Sequence, residues 1–295
     1  MVRLNVDSAP ADVYLKLENL QPTGSFKIRG VSNALAHVKS EAKTRGVYTC
    51  SAGNMAQALA WESRKNGIEC TVVVPDNAPE TKLQAVKRFG AEIIQASFDE
   101  VWKIVTTHEY PPLRSKVFIH PFANADMIMG NGTIGLEILD DLPDVDSVVI
   151  PFGGGGLATG IATAVRGKKS VIRAFAVEPE TAAPLAVSFK EGYLQEIKRV
   201  PSFVDGIGGK SVLPEMWKLV RSLLEDSIVM PLRDIASAGR LLAERNRIVA
   251  EGAGAASVAA ALSGKAGTGK VVCVVSGGNI DSDKFVKILQ GEVPK

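Results

Sequence analysis

Pro22-Thr23-Gly24-Ser25-Phe26-Lys27-Ile28-Arg29-Gly30 follows an alternating segment, Val13 to Glu18. Val13, Leu15 and Leu17 share one face of that segment, and Tyr14, Lys16 and Glu18 share the other. The alternation predicts a strand, and the Pro-Thr-Gly that ends it predicts a turn into a helix reaching about Val38. Lys27 therefore opens a helix. Near the positive end of the macrodipole its charge is disfavoured, which lowers its pKa and prepares the amine as a nucleophile. A solvated first-turn lysine is the plain alternative on this stretch alone.

Outward from this point the chain alternates strand and helix. Val47 to Cys50 is a short strand leading into Ser51-Ala52-Gly53-Asn54-Met55-Ala56-Gln57, which opens a helix. Small and polar residues at such a turn expose backbone N–H groups that can hold a carboxylate, although Ser51 or Asn54 would equally serve as a plain N-cap. Cys70 to Val74 is a β-branched strand ended by Pro75, Pro79 to Phe89 a helix, Ala91 to Gln95 a strand and Ser97 to His108 a helix broken by Pro111-Pro112. Val117 to His120 is a brief strand and Met127 to Leu142 a helix. This order calls for parallel sheets with right-handed crossovers, with residues 46–123 as a small mobile lobe and residues 1–45 and 124–295 as a larger domain.

Composition bounds the function. The 295 residues are 46% hydrophobic with 28 glycines, and the net charge is +2. That suits a glycine-looped α/β protein and gives no basic surface for nucleic acid. Met1 to Ala11 lacks the apolar core of a signal peptide, and no apolar run reaches membrane-spanning length, so a cytoplasmic protein is expected. Cys50, Cys70 and Cys273 lack metal-ligand spacing and read as small core residues, and three scattered histidines (His37, His108, His120) offer no zinc site.

The second half carries the anion signal. Ser147 to Pro151 is a buried-type strand that enters Phe152-Gly153-Gly154-Gly155-Gly156-Leu157 and then a helix. Four contiguous glycines there let backbone N–H groups converge on an anion at a helix N-terminus. The same residues also satisfy a dinucleotide fingerprint: Gly153, Gly155 and Ala158 fit G-x-G-x-x-A, and Glu178 ends the next predicted strand, Val171 to Val177, where a ribose partner belongs. An NAD(P)-dependent oxidoreductase is the rival that this spacing supports. Gly264 to Lys270 spells G-x-x-x-x-G-K but runs from helix to strand, the wrong order for a phosphate loop. Asp205 to Gly209 is a further glycine turn, Arg233 to Asn246 a helix, Glu251-Gly252-Ala253-Gly254 the start of an Ala-rich helix, and Val271 to Val275 the last strand, followed by Ser276-Gly277-Gly278-Asn279.

In order, Pro22 to Lys27, Ser51 to Asn54, Gly153 to Leu157, Val177-Glu178-Pro179, Glu251 to Gly254 and Ser276 to Asn279 resemble the fold type II pyridoxal-phosphate enzymes, most closely the threonine dehydratase and serine racemase group. The resemblance covers nearly the whole chain. It implies an α/β, two-domain, tryptophan synthase beta-like fold in which each domain is an open, mostly parallel sheet flanked by helices. It implies pyridoxal 5'-phosphate as cofactor, with Lys27 forming the Schiff base, Phe26 packing by the ring, Asn54 bonding the phenolic oxygen, Gly153, Gly154, Gly155, Gly156 and Leu157 holding the phosphate, and Ser276 bonding the ring nitrogen. Ser51, Ala52, Gly53 and Asn54 would clamp the substrate carboxylate, with Gly206 and Glu251 near the cofactor. The implied reaction is β-elimination of a hydroxy amino acid such as L-threonine or L-serine to a 2-oxo acid and ammonia, with racemisation and a catalytically silent ligand-binding homologue as alternatives. A homodimer or higher homo-oligomer is implied as well.

Some positions depart from the family pattern. Met55 stands where His usually follows the Asn, and Asn131 replaces the usual Gln of the G-Q-G-T-I-G helix. In the racemases a divalent cation is held by groups at the positions of Glu178, Ala182 and Pro184, and Pro184 has no side-chain oxygen, so no metal is expected. The racemases also place a serine where Ala52 stands. With little chain after Asn279, no C-terminal regulatory domain is expected.

Overall fold

The computed structural model describes residues 1–78 and 80–295. In chain order its elements are β1 (Val2–Arg3), β2 (Asp12–Leu17), α1 (Lys27–His37), α2 (Lys39–Arg45), β3 (Val47–Cys50), α3 (Asn54–Asn66), β4 (Cys70–Pro75), α4 (Glu80–Arg88), β5 (Glu92–Ala96), α5 (Phe98–Thr107), β6 (Val117–Phe118) and α6 (Ala125–Asp141). Then follow β7 (Ser147–Pro151), α7 (Gly156–Lys168), β8 (Arg173–Pro179), α8 (Pro184–Glu191), α9 (Pro214–Leu223), β9 (Asp226–Met230), α10 (Leu232–Leu241), α11 (Gly252–Leu262), β10 (Lys270–Val275) and α12 (Ser282–Leu289). Pro79, expected to begin a helix, lies outside the described residues. By density of contacts the chain divides into one unit of residues 21–131 and another of residues 1–20 with 132–295.

The unit of residues 21–131 is built on a four-stranded sheet in the order β5-β4-β3-β6, parallel throughout. β4 is central, and its run Cys70 to Val74 is buried at every position, as a parallel strand covered on both faces must be. Its core gathers Val31, Leu59, Val72, Ile119 and Met127. The unit contains the stretch 46–123 together with α1, α2 and the first part of α6. Glycine explains why α1 and α6 lie so close: a methyl group on Gly30 would come 2.8 Å from the Met127 carbonyl oxygen, and one on Gly130 would overlap the Arg29 carbonyl. α5 is capped by Ser97, whose Oγ accepts the Glu100 N–H at 3.2 Å.

The other unit has a six-stranded sheet in the order β1-β2-β10-β7-β8-β9, in which only the β1–β2 pair is antiparallel. β10 lies between β2 and β7 and is parallel to both, so its carboxyl end and that of β7 emerge side by side. In open α/β sheets that edge is where ligands bind. The Ala-rich α11 is buried from Gly252 to Ala261, and a methyl group on Gly254 would come 2.6 Å from the Gly277 carbonyl oxygen. The helix expected over Arg233 to Asn246 is interrupted: α10 stops at Leu241, residues Leu242–Asn246 form a π-helical turn, and Arg247 takes φ 60°.

All three cysteines are free and buried, as expected of core residues. Burial pushes the Cys50 and Cys70 thiols up to about 12, and Cys273 higher still, so none is a ready thiolate. Among the described residues, no helix is long and apolar enough to cross a membrane.

Candidate active site

Within the unit of residues 21–131, Lys27 is the first residue of α1, and no side chain caps that helix. Its Nζ donates to the Pro121 carbonyl oxygen at 2.5 Å and lies 5.1 Å from the centroid of the Phe26 ring. Burial lowers the amine from 10.5 to about 8. The direction agrees with expectation, but the cause is desolvation rather than the helix dipole. At pH 8 about half of such an amine is neutral, against about 0.3% of an ordinary lysine.

The turn after β3 is tied to the sheet through Ser51 N–H, which donates to the Val73 carbonyl at 3.0 Å. Ser51 Oγ accepts the Gly53 N–H at 3.2 Å, and Gly53 takes the N-cap position of α3 with no side-chain cap. Neither Ser51 nor Asn54 caps the helix, contrary to the plain capping alternative. A methyl group on Gly53 would meet nothing within 4 Å, so the helix opening has room for a ligand carboxylate beside Ser51, Ala52, Gly53 and Asn54. Met55 points elsewhere. It is 2% exposed and packs in the core with Leu59 and Ile119, so its replacement of the usual His alters packing and not the open turn.

Within the other unit, β7 runs into buried Phe152 and then the glycines. Gly155 holds the N-cap of α7 at φ 93°, a conformation open to glycine, and no side chain caps the helix. A side chain there would also press on Met216 and on the Phe152 ring, at 3.2 and 3.3 Å. Leu157 is buried and anchors the first turn. A side chain on Gly153 would meet Ile207 Cα at 3.5 Å and the Gly206 carbonyl at 3.6 Å, and one on Gly206 would meet Glu251 Oε1 at 3.2 Å. Glu251 N–H in turn donates to the Gly277 carbonyl at 3.0 Å, beside the buried Ser276 at the end of β10. Contacts inside this unit thus bring together the glycine loop, Gly206, Glu251 and Ser276.

Glu178 departs from the dinucleotide expectation. It lies inside β8, paired with Val229, rather than beyond the strand's end. Its carboxylate is wholly buried and accepts from Leu185 N–H at 3.0 Å, Ala186 N–H at 2.8 Å and Ser227 Oγ at 2.7 Å. Burial pushes its pKa up to about 7 against the pull of those three donors. It caps α8 from a neighbouring strand, which leaves it no part in binding a ribose. The same commitment bears on metal. With both oxygens holding donors and Pro184 as the first residue of α8, a strong oxygen site has too few ligands, and chelator should change activity by less than about twofold. Assay before and after chelation, with magnesium added back, measures this; a large loss rescued by the cation would contradict it.

Pro121 was not among the residues singled out from sequence. Its contribution is a backbone carbonyl, which no side-chain motif announces. The available signal was the His120-Pro121 pair just past β6, which ends at Phe118, two residues sooner than expected.

With this geometry established, comparison with known proteins is decisive for the family. The family model for pyridoxal-phosphate dependent enzymes matches residues 1–277. The chain is similar to the L-threonine ammonia-lyase of Thermotoga maritima, with 39% identity over 281 residues that cover 94% of this chain and 70% of that one. Among solved structures it is similar to the processed form of threonine deaminase isoform 2 from Solanum lycopersicum, with TM-score 0.87, 30% identity, and 96% of this chain and 83% of that chain covered. Maize serine racemase gives TM-score 0.84 at 33% identity, over 95% of this chain and 87% of that one. The six motifs, the two largely parallel sheets and these matches agree, and the chain belongs to the pyridoxal-phosphate dependent enzymes.

Proposed function

We propose that the protein catalyses β-elimination of a hydroxy amino acid, such as L-threonine or L-serine, to a 2-oxo acid and ammonia. The observation that carries this reading is the Lys27 amine, lowered to about 8 at the opening of α1 and held by the Pro121 carbonyl. The residues present fit pyridoxal phosphate. Lys27 supplies an amine for its aldehyde. The uncapped glycine loop Gly153 to Gly156, with the N-terminus of α7 behind it, supplies N–H donors for its phosphate. Phe26 and Asn54 would meet its ring, and Ser276 would offer the ring nitrogen a hydroxyl.

When bound, the cofactor supplies an electron sink that makes the substrate Cα–H acidic. The turn Ser51 to Asn54 holds the substrate carboxylate and fixes which bond lies toward the base. Lys27, its amine lowered to about 8, would take the Cα proton and then carry it to the departing β-hydroxyl, which would leave as water. Ser276, buried at the end of β10, would offer the ring nitrogen a neutral hydroxyl rather than the carboxylate that would hold it protonated. The unsaturated amine released hydrolyses to the 2-oxo acid and ammonia. Purified protein given cofactor and a panel of hydroxy amino acids should form 2-oxo acid. A protein that binds cofactor and turns over none of them would contradict the reading.

Ala52 decides between elimination and inversion. Racemisation needs a proton donor on each face of the carbanion, and alanine at the half-buried position 52 has none to give. With L-serine we expect 2-oxo acid in excess of D-serine by at least about tenfold, and Ala52→Ser should raise the inverted fraction. Chiral chromatography of one timed reaction reads both products; equal rates in the unsubstituted protein would contradict the assignment.

A further inference from the structure

The carbonyl that holds Lys27 has its own support, in the turn His120-Pro121-Phe122-Ala123-Asn124 between β6 and α6. His120 is 3% exposed. Its Nδ1 accepts the Phe122 N–H at 3.1 Å and the Ala123 N–H at 2.8 Å. Two donors on Nδ1 place the ring proton on Nε2, which donates to the Val105 carbonyl at 3.1 Å. The Phe122 ring meets the imidazole edge-on, with centroids 4.6 Å apart, and the His108 ring lies at 4.5 Å. A second proton would be forced between Nδ1 and the two amides it accepts. Burial accordingly pulls His120 down to about 3, the Val105 carbonyl opposing and His108 and Lys27 adding to the shift. On the far side of the turn, Asn124 Oδ1 accepts the Met127 N–H at 2.9 Å and ties the chain to the start of α6.

We propose that His120 is a positioning residue for Lys27: it fixes the turn whose Pro121 carbonyl orients the lysine amine. The proposal rests on reading Lys27 as the amine that takes the cofactor. A proline carbonyl can only accept. It engages one N–H of the Lys27 amine and directs the lone pair elsewhere, yet has no proton to exchange with it. A hydroxyl or carboxyl in its place would compete for the proton that Lys27 must carry from Cα to the leaving group. His120, held neutral by its burial, keeps that acceptor fixed over the pH range in which Lys27 titrates.

The test uses the protein without cofactor. Acetylation of Lys27 by acetic anhydride, followed over a pH series by peptide mass spectrometry, should show a midpoint near 8 in the unsubstituted protein. His120→Leu removes both hydrogen-bonding nitrogens, loosens the turn and lets water reach the amine, so the midpoint should rise by about one pH unit or more. His120→Asn keeps an oxygen to accept the Phe122 and Ala123 amides and should restore most of the shift. An unchanged or lowered midpoint in folded His120→Leu, or no restoration by Asn, overturns the proposal. Should His120→Leu fail to fold, nitrogen NMR of histidine-labelled protein decides. A buried histidine that stays neutral with its proton on Nε2 from mildly acidic to alkaline pH supports the proposal, and the opposite tautomer or protonation overturns it. Neither readout needs cofactor, so failure to bind cofactor would sink the functional reading alone.

Discussion

Lys27→Ala is expected to lower formation of 2-oxo acid by at least about 10⁴-fold while leaving the fold intact, because it removes both the covalent partner of the cofactor and the base that moves the Cα proton. The fold should persist because the residue opens α1, where alanine is a good helix former, and because among the described residues its polar contact is one hydrogen bond to the Pro121 carbonyl. Far-UV circular dichroism and the thermal midpoint check the fold, and a 2-oxo acid assay checks the rate. Added primary amine should restore a small part of the lost activity, since the missing group is itself an amine. A cleanly folded variant with retained activity would remove Lys27 from the mechanism.

Gly130→Ala is expected to have the next largest effect. The added methyl would overlap the Arg29 carbonyl and lie 2.8 Å from Gly30 Cα, so backbone meets it on the α1 side with no flexible side chain to yield. α1 must move away from α6, carrying Lys27 at its first turn. Overpacking of this kind costs about 1–3 kcal/mol, and a displacement near 1 Å at a reacting group costs about 10²-fold in rate. We expect a lower thermal midpoint together with that loss in kcat/KM. Gly167→Ala, at a position in α7 where a methyl group meets nothing within 4 Å, serves as the control and should leave kcat/KM unchanged, with a thermal midpoint equal or higher. Unchanged kcat/KM in Gly130→Ala would show that the α1–α6 approach does not set the lysine.

Much of this arrangement was legible in the residues. β3 and β7 fall at the expected bounds because their β-branched, buried runs end sharply at glycine-rich turns. The glycine loop, Ser276, Gly206 and Glu251 were each named from motif order, and the parallel β2-β10-β7 pairing explains why residues so distant in sequence share one edge of a sheet. The misses have a common cause. Glu178 was read from a strand end misplaced by two residues, yet in β8 it is an interior residue that caps α8 through space. α8 itself was not anticipated, because its capping group lies on another strand. Met55 stands where the family usually has His, and the period of α3 turns it into the core. Pro121 acts through its main chain, and the lowered pKa of Lys27 comes from burial; both depend on tertiary packing that no local pattern carries.

The central claim is that Lys27 is the residue that takes pyridoxal phosphate and drives elimination. The most direct measurement is borohydride reduction of the cofactor-loaded protein, then peptide mapping by mass spectrometry. The account predicts a visible absorption band that disappears on reduction, with one pyridoxyl group fixed on Lys27 and none on the same peptide once L-threonine or L-serine has displaced the lysine. Attachment to another lysine, or full activity with no fixed cofactor, would contradict it.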